Sequence, residues 1–255
     1  MNILSRATWR GFEGPGKDLR DLALLAAILL AAYGAALLIP FAHHDDYYYF
    51  AYDDRSSRLY HPQYLFAQFT GRHLYNLVAT PIEAVLWEVA DFTLVRAGFI
   101  VALAFPALVV MRVLERLDVP RWHAMAVAAG MFLLPGIQAG VIWVTLAPCL
   151  AALILSLLAG HVAISVEPGG LREKSARTRA IATVAVSAVL LLAALFVYAP
   201  WAMFFIVPVF ARTLLGRAEG ARRLFARLAL EGRILVTTAV ASFALHKFVL
   251  LPAFA

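Results

Sequence analysis

Two pairs of aspartates are the most distinctive feature of this 255-residue sequence. Asp45-Asp46 and Asp53-Asp54 lie in the segment 43–76, which also contains several histidines, tyrosines and arginines. Carboxylates accept paired hydrogen bonds from sugar hydroxyls, aromatic rings stack on the sugar, and Arg or His can hold a phosphate. The segment therefore has the residue types of a site for a sugar or a sugar phosphate.

The aspartate pairs allow three interpretations. Because two close negative charges raise the pKa of one carboxyl, one member of a pair could act as a general base near neutral pH. Hard oxygen ligands would equally suit a divalent cation such as Mg²⁺ or Mn²⁺. In the third interpretation the acidic loop is simply solvated. The residues alone leave the three open.

The elements that must position this segment are membrane helices. Of all residues, 63% are hydrophobic and 15% are charged, whereas soluble domains are near half apolar and a quarter charged. Apolar runs of about 20 residues suit helices that satisfy their own backbone hydrogen bonds in a bilayer. We expect an all-α membrane protein with a single polytopic domain over residues 1–255. The basic residues lie in short loops, which indicates membrane topology and no nucleic-acid partner.

About seven transmembrane helices are expected from these runs. Pro135-Gly136 and Pro200 interrupt runs that are too long for one helix, and each predicts a tight hairpin. The arginine-rich stretch 216–233 is expected to be an interfacial amphipathic helix or loop that anchors the topology against anionic lipid. The expected spans are residues 21–42, 93–111, 122–140, 141–164, 180–198, 200–215 and 234–254.

Charge placement predicts which face each loop occupies. If residues 1–20 are cytoplasmic and the acidic loop 43–92 is extracytoplasmic, most of the 22 Lys and Arg residues lie on the cytoplasmic side, as the positive-inside rule requires. Residues 74–90 are apolar enough to suggest an eighth span, but a crossing there would put the later basic loops on the wrong side. With Pro81 and several acidic residues, this stretch predicts juxtamembrane helices at the outer interface.

Other polar residues are candidates for the same outer site. Lys247, next to His246, is the only lysine within an expected span and lies toward its outer end. Its ammonium could meet a lipid-linked phosphate or simply extend to the interface. His61, Gln68 and His73 could line the site or be solvated.

The words DDYYY, after the first span, and QFTGRHLYNL, at the end of the aromatic-rich stretch, resemble a known family. They are similar to the first outer loop of the GT-C glycosyltransferases, especially the bacterial glucosyltransferase II branch. The resemblance implies a GT-C-like fold, whose N-terminal seven-helix module has two interfacial helices after the first span. It also implies a multi-pass protein of the bacterial inner (plasma) membrane, with its active site on the periplasmic face.

Carried over by position, the resemblance puts the catalytic carboxylate on Asp46 or Asp45. Asp53 and Asp54 are rivals, because the family pattern fits either pair. The family's Gly-Arg pair falls on residues 71 and 72. Arg72, with Lys247, is then expected to bind the lipid phosphate, and His44 and His73 are further substrate-binding candidates.

The expected function is transfer of a sugar from a polyprenyl-phosphate donor to an extracytoplasmic glycan or lipid acceptor. The aspartate would take the proton of the acceptor hydroxyl as it attacks the anomeric carbon, with inversion. A divalent cation remains open. A transporter or flippase is disfavoured, because the spans carry almost no ionisable residues at their midplane. The other rival is a non-catalytic subunit or truncated module with a membrane-protein partner, since family members are usually longer.

Overall fold

The computed structural model describes residues 15–38, 67–86, 88–166, 174–215, 221–250 and 252. Within these ranges the chain forms helices and no strand, which confirms the expected all-α class. Both aspartate pairs, at 45-46 and 53-54, lie outside the described residues, as do His44 and His61.

Eleven α-helices lie within the described ranges. A π-helical turn, His246–Leu250, continues the last helix, and short 3-10 segments occupy Val144–Cys149 and Met203–Phe205. The α-helices are α1 (Pro15–Tyr33), α2 (Ala35–Leu38), α3 (Tyr75–Glu83), α4 (Asp91–Ala102), α5 (Ala104–Arg116), α6 (Arg121–Met131), α7 (Pro135–Ile142), α8 (Leu150–Ala163), α9 (Lys174–Ala202), α10 (Ile206–Leu215) and α11 (Ala221–Leu245).

Four stretches of the described chain are long and apolar enough to cross a membrane. A fifth joins α6 and α7, if this bent pair forms one span. These stretches fit a membrane protein. α1 begins with four charged residues, and the apolar run that follows it continues beyond the described residues. The four stretches are Asp91–Arg116, Leu146–Ala163, Arg177–Leu215 and Arg222–Leu250.

Both prolines that were expected to interrupt helices do so. Pro135 stands at the first turn of α7, where its missing N–H costs nothing, but α6 and α7 meet at a bend of 61° instead of a hairpin. Tyr33 donates its hydroxyl to the Phe132 carbonyl at this bend, at 2.6 Å, which ties α1 to the break. Pro200 breaks α9, where Tyr198 has an extended backbone with φ −162° and ψ 102°.

α8 lies at the centre of the described bundle and contacts α5, α9 and α10. Ser187 of α9 donates to the Ala159 carbonyl at 2.9 Å, and both groups are buried. After the break in α9, the chain returns alongside α8. Ser156 donates to the Trp201 carbonyl at 3.1 Å.

A buried ion-pair cluster joins α1, α5 and α6 at one end of the bundle. The Arg112 guanidinium contacts Asp18 at 2.5 Å, Asp21 at 2.7 Å and Glu115 at 2.5 Å. Arg121 pairs with the second oxygen of Asp21. Asp21 and Arg112 are almost fully buried, so each charge depends on its partners for solvation. The start of α1 is thereby fixed beside the end of α5.

Two predicted segments have defined local structure. α3 has nine residues and a length of about 14 Å, too short for the ~30 Å hydrocarbon core of a bilayer. The arginine-rich stretch is helical from Ala221 onward, but it is continuous with the last apolar helix, α11, instead of forming a separate element.

Candidate functional site

A tight turn carries the predicted site residue Arg72. Its backbone hydrogen bonds run from Gly71 to Gln68 at 3.1 Å and from Arg72 to Ala67 at 2.7 Å. Gly71 has a φ of +79°, in the left-handed region that glycine adopts without steric cost. Residues 67–74 are called the Gly-Arg-His turn below.

The Gly-Arg-His turn is attached to the kink in α9 through the backbone. The N–H of Leu74 donates to the carbonyl of Phe196 at 3.0 Å. In a regular helix this carbonyl would accept from residue 200, but Pro200 has no N–H. The proline therefore both breaks α9 and frees the acceptor that receives the turn.

Arg72 is held over an aromatic ring at this kink. Its guanidinium carbon lies 4.8 Å from the centre of the Tyr198 ring, a distance at which a cation is attracted to the ring face. The charge is also within electrostatic range of Cys149, just before α8. Arg72 therefore sits where the break of α9 meets the start of α8.

The site and the ion-pair cluster lie at opposite ends of α8. Arg116, at the end of α5 beside the cluster, contacts His161 near the end of α8 at 3.1 Å. His161 and Cys149 are twelve residues apart, which corresponds to about 18 Å along a helix axis. The arginine of the turn and the acidic residues of α1 therefore face different ends of the bundle.

A chain of hydrogen-bonded side chains crosses the Gly-Arg-His turn. His73 Nδ1 lies 2.6 Å from Gln68 Oε1, and His73 Nε2 lies 2.9 Å from His246 Nδ1. The His73 ring also packs edge-on against Phe196, with centroids 5.4 Å apart. These contacts connect the turn to α9 and to the π-helical turn after α11.

The close approach of His246 depends on a glycine. A Cβ at Gly71 would lie 3.4 Å from His246 Cγ, at the tight end of ordinary carbon contacts. Burial, followed by the charge of His246, lowers the pKa of His73 below its usual value. Since burial disfavours the charged ring, His73 is neutral near physiological pH.

An apolar groove of about 560 Å³ lies beside α3. α3 begins directly after the Gly-Arg-His turn, and its residues Val78 and Ile82, with Val85 just beyond its end, form one wall. α4 and the start of α8 form the other walls, with residues such as Gly98 and Leu150. Because Ala147 and Leu150 both line the groove, the Cys149 position near Arg72 belongs to the same region. Arg72 and the groove are thus both close to the start of α8.

The predicted site residues that the structure describes divide into two groups. Arg72 and His73 are brought together on one turn, and Gln68 contributes to it. Lys247 lies one residue beyond His246, but it is exposed and its Nζ lies 5.7 Å from the Phe243 ring centre on its own helix. The roles predicted for Asp45, Asp46, Asp53, Asp54 and His44 fall outside the described residues.

Two residues of this site were not among the predicted site residues. His246 was noted only as the neighbour of Lys247, and Tyr198 was not assigned a role. A histidine beside the lysine at the expected outer end of a span was the one available signal. The contact itself joins residues 173 positions apart, which no local pattern reveals.

No group of three or more His, Cys, Asp or Glu side chains in the described part of the chain could hold a metal ion. No family model matches the chain, and neither curated proteins nor solved structures give a match. The proposals below therefore depend on the residues and their geometry, together with the resemblance of two sequence words.

Proposed function

We propose that this chain is a membrane glycosyltransferase of GT-C-like architecture, which transfers a sugar from a polyprenyl-phosphate donor to an extracytoplasmic glycan or lipid. In this proposal it has seven spans, a cytoplasmic N-terminus and, over residues 43–92, an extracytoplasmic acidic loop with juxtamembrane helices. It resides in the bacterial inner membrane, and the Gly-Arg-His turn faces the periplasm.

The observation that supports the proposal best is that a cation and an apolar groove both lie near the start of α8. Arg72 is half-buried and restrained by Tyr198, so little conformational entropy is lost when it binds an anion. A planar guanidinium pairs well with phosphate oxygens through two parallel hydrogen bonds. The groove that begins at α3 can take an apolar chain. A phosphate on a long hydrocarbon has both of these parts.

The position of the turn is consistent with an extracytoplasmic site. The basic ends of α5 and α6 meet the start of α1 at one end of the bundle, and the positive-inside rule assigns such an end to the cytoplasm. The Gly-Arg-His turn lies at the other end of α8. Asp45 and Asp46 precede the turn on the same loop in the sequence, so the proposed base and the phosphate site belong to one face.

The proposed reaction is a single displacement. The acceptor hydroxyl attacks the anomeric carbon, and Asp46 or Asp45 takes its proton. The bond between that carbon and the phosphate oxygen breaks, and the electron pair remains on the lipid phosphate. Arg72 stabilises the charge that develops there, which is the role of preorganised donors in catalysis. The sugar is transferred with inversion.

Sugar transfer by purified protein in lipid nanodiscs tests this function. A synthetic polyprenyl-phosphate donor with a radiolabelled sugar would be supplied with a membrane extract as acceptor. Wild-type protein is expected to release polyprenyl phosphate and to label the acceptor. Arg72→Ala should lower kcat by about 100-fold, as loss of one charge-stabilising donor does, whereas His123→Asn, on exposed α6, is the unaffected control.

Aspartate variants assign the base. Asp46→Asn and Asp45→Asn are each compared with Asp53→Asn and Asp54→Asn. Transfer that survives in both variants of the first pair but fails in the second would move the base to the second pair. No transfer by wild type with any donor sugar, despite intact protein, would contradict the enzyme and favour a non-catalytic subunit.

A further inference from the structure

His246 has a protonation pattern fixed by its neighbours. Gln68 presents Oε1, an acceptor, to His73 Nδ1 at 2.6 Å, so His73 carries its proton on Nδ1. Its Nε2 is then an acceptor and receives the Nδ1–H of His246 at 2.9 Å. The Nε2 of His246 is left as the atom that gains or loses a proton.

The Nε2 atom of His246 makes no hydrogen bond to any residue in the described ranges. The ring is half-buried and lies against Gly71, directly before Arg72. It projects from the π-helical turn after α11, and such turns occur frequently at functional sites. A titratable nitrogen with no hydrogen bond to a described residue thus lies on a ring that contacts Gly71, the residue before the proposed phosphate-binding cation.

We infer that His246 is a second catalytic residue, the general acid that protonates the departing lipid phosphate. This inference rests on the proposed function and deepens it. His73 and Gln68 are positioning residues, because they act only through His246. The arrangement follows the general pattern of a catalytic histidine oriented by a hydrogen-bond acceptor on its other nitrogen.

The proton balance of the step is simple. As the bond from the anomeric carbon to the phosphate oxygen breaks, the electron pair goes to that oxygen, and the Nε2 proton of His246 is transferred to the phosphate. The proton lost by the acceptor hydroxyl goes to the aspartate. Water then returns a proton to His246 and removes one from the aspartate, so no oxidant or reductant is needed.

A neutral His73 makes this assignment chemically consistent. Two histidinium rings in contact would repel each other, so the pair holds one positive charge at most. Burial disfavours charge on His73, which is consistent with its role as the acceptor of the His246 Nδ1–H. The ionisable residues next to this contact along the chain are Arg72, which follows Gly71, and Lys247, which follows His246.

The test separates the two nitrogens of His246. His246→Asn keeps an N–H that can donate to His73, but it removes Nε2. We expect kcat to fall by about 100-fold, within the range typical of general acid–base groups. Transfer by wild type should decline under basic conditions, where His246 can no longer supply the Nε2 proton, and this decline should be absent in His246→Asn.

Substitutions at His73 test its positioning role. His73→Gln can still accept from His246 Nδ1–H, and it should retain most of kcat. His73→Leu cannot accept this bond, so kcat should fall and the basic limb of the pH profile should shift. His123→Asn serves as the matched control for the loss of a histidine elsewhere, and melting temperatures check that each variant is folded.

The outcomes distinguish this inference from the proposed function. If Asp46→Asn or Asp45→Asn abolishes transfer while folded His246→Asn keeps the wild-type rate and pH profile, the acid assignment is wrong and the enzyme stands. If wild type transfers no sugar, ¹⁵N-histidine NMR with polyprenyl phosphate in nanodiscs still tests whether His246 contacts the lipid phosphate. Binding should shift the Nε2 resonance of His246, and an unchanged resonance at saturating lipid would overturn the inference.

Discussion

The backbone N–H of Leu74 donates a hydrogen bond of 3.0 Å to the carbonyl of Phe196. This carbonyl is available because the residue four positions later in α9 is Pro200. Because Pro200 has no N–H, it both bends the helix and leaves the Phe196 carbonyl free to attach the Gly-Arg-His turn. The position of Arg72 over Tyr198 follows from that attachment.

Replacing Pro200 with a residue that has a backbone N–H should loosen the Gly-Arg-His turn. In Pro200→Ala, the new N–H competes with Leu74 for the Phe196 carbonyl, and α9 can continue as a regular helix through Tyr198. We expect faster amide hydrogen exchange in residues 67–75 and slower sugar transfer. Pro120→Ala is the control, because Pro120 is exposed and stands just before α6. Unchanged exchange in 67–75 would show that the Leu74 bond does not depend on the proline.

Removing Arg112 should strongly destabilise the fold. Asp21 is fully buried, and Arg112→Ala would leave Arg121 as its remaining ion-pair partner within the described residues. Loss of one partner in a buried pair costs about 3–5 kcal/mol, so the melting temperature in detergent should fall markedly. Arg222→Ala, at an exposed position on α11, should change stability by less than about 0.5 kcal/mol. Equal melting temperatures would mean that water solvates Asp21.

Substitution by alanine should lower the stability of the protein at Gly160 and raise it at Gly232. A Cβ at Gly160 would collide with the Phe205 carbonyl oxygen and lie 3.1 Å from Pro208. Backbone atoms cannot rotate away, so Gly160→Ala should destabilise by about 1–3 kcal/mol. Gly232, inside α11, has nothing within 4 Å of a Cβ, and Gly232→Ala should stabilise by about 0.5–1 kcal/mol. Thermal unfolding of both variants measures the difference, and a stable Gly160→Ala would require α8 and α10 to separate.

The folded protein should lose stability at acidic pH because of His73. Its pKa is lowered in the folded protein, so the unfolded chain binds a proton more readily than the folded one. Stability is therefore full above about pH 6.5, the ordinary histidine pKa, and is lost as the pH falls toward the lower folded value. His73→Gln should flatten the melting temperature in this interval, whereas His123→Asn should not. A wild-type melting temperature that rises on acidification would contradict this assignment.

The sequence predicted the helices and their interruptions because both depend on local chemistry. Apolar runs specify helices in a membrane, and Pro135 and Pro200 lack an N–H in any fold. The angle at Pro135 was not predictable, because it is set by packing and by the contact of Tyr33 with Phe132. The same limit explains why the partners of Asp21 and His73 were missed, since each contact joins distant parts of the chain.

The candidate site was predicted only in part for a related reason. Arg72 and His73 could be chosen because a Gly-Arg-His word is visible in the sequence. The histidine that completes the site could not be separated from Lys247 by position alone, because residues one apart on a helix point about 100° from each other. The structure directs His246 toward the turn, while Lys247 is exposed.

The groove beside α3 offers a test of how the donor lipid binds. Gly98 of α4 lines it, and a Cβ there would meet nothing within 4 Å, so a larger side chain can enter the empty space without disturbing the fold. Gly98→Phe should fill much of the groove and raise the KM for a long-chain polyprenyl-phosphate donor, with a smaller effect on kcat. Because the obstruction concerns only the hydrocarbon, a donor with a short, soluble chain should be used as well by the variant as by wild type.

Gly130→Phe, at an exposed position on α6 that also has open space, is the matched control. A KM for the long-chain donor that is the same in Gly98→Phe as in wild type would show that the lipid chain lies elsewhere.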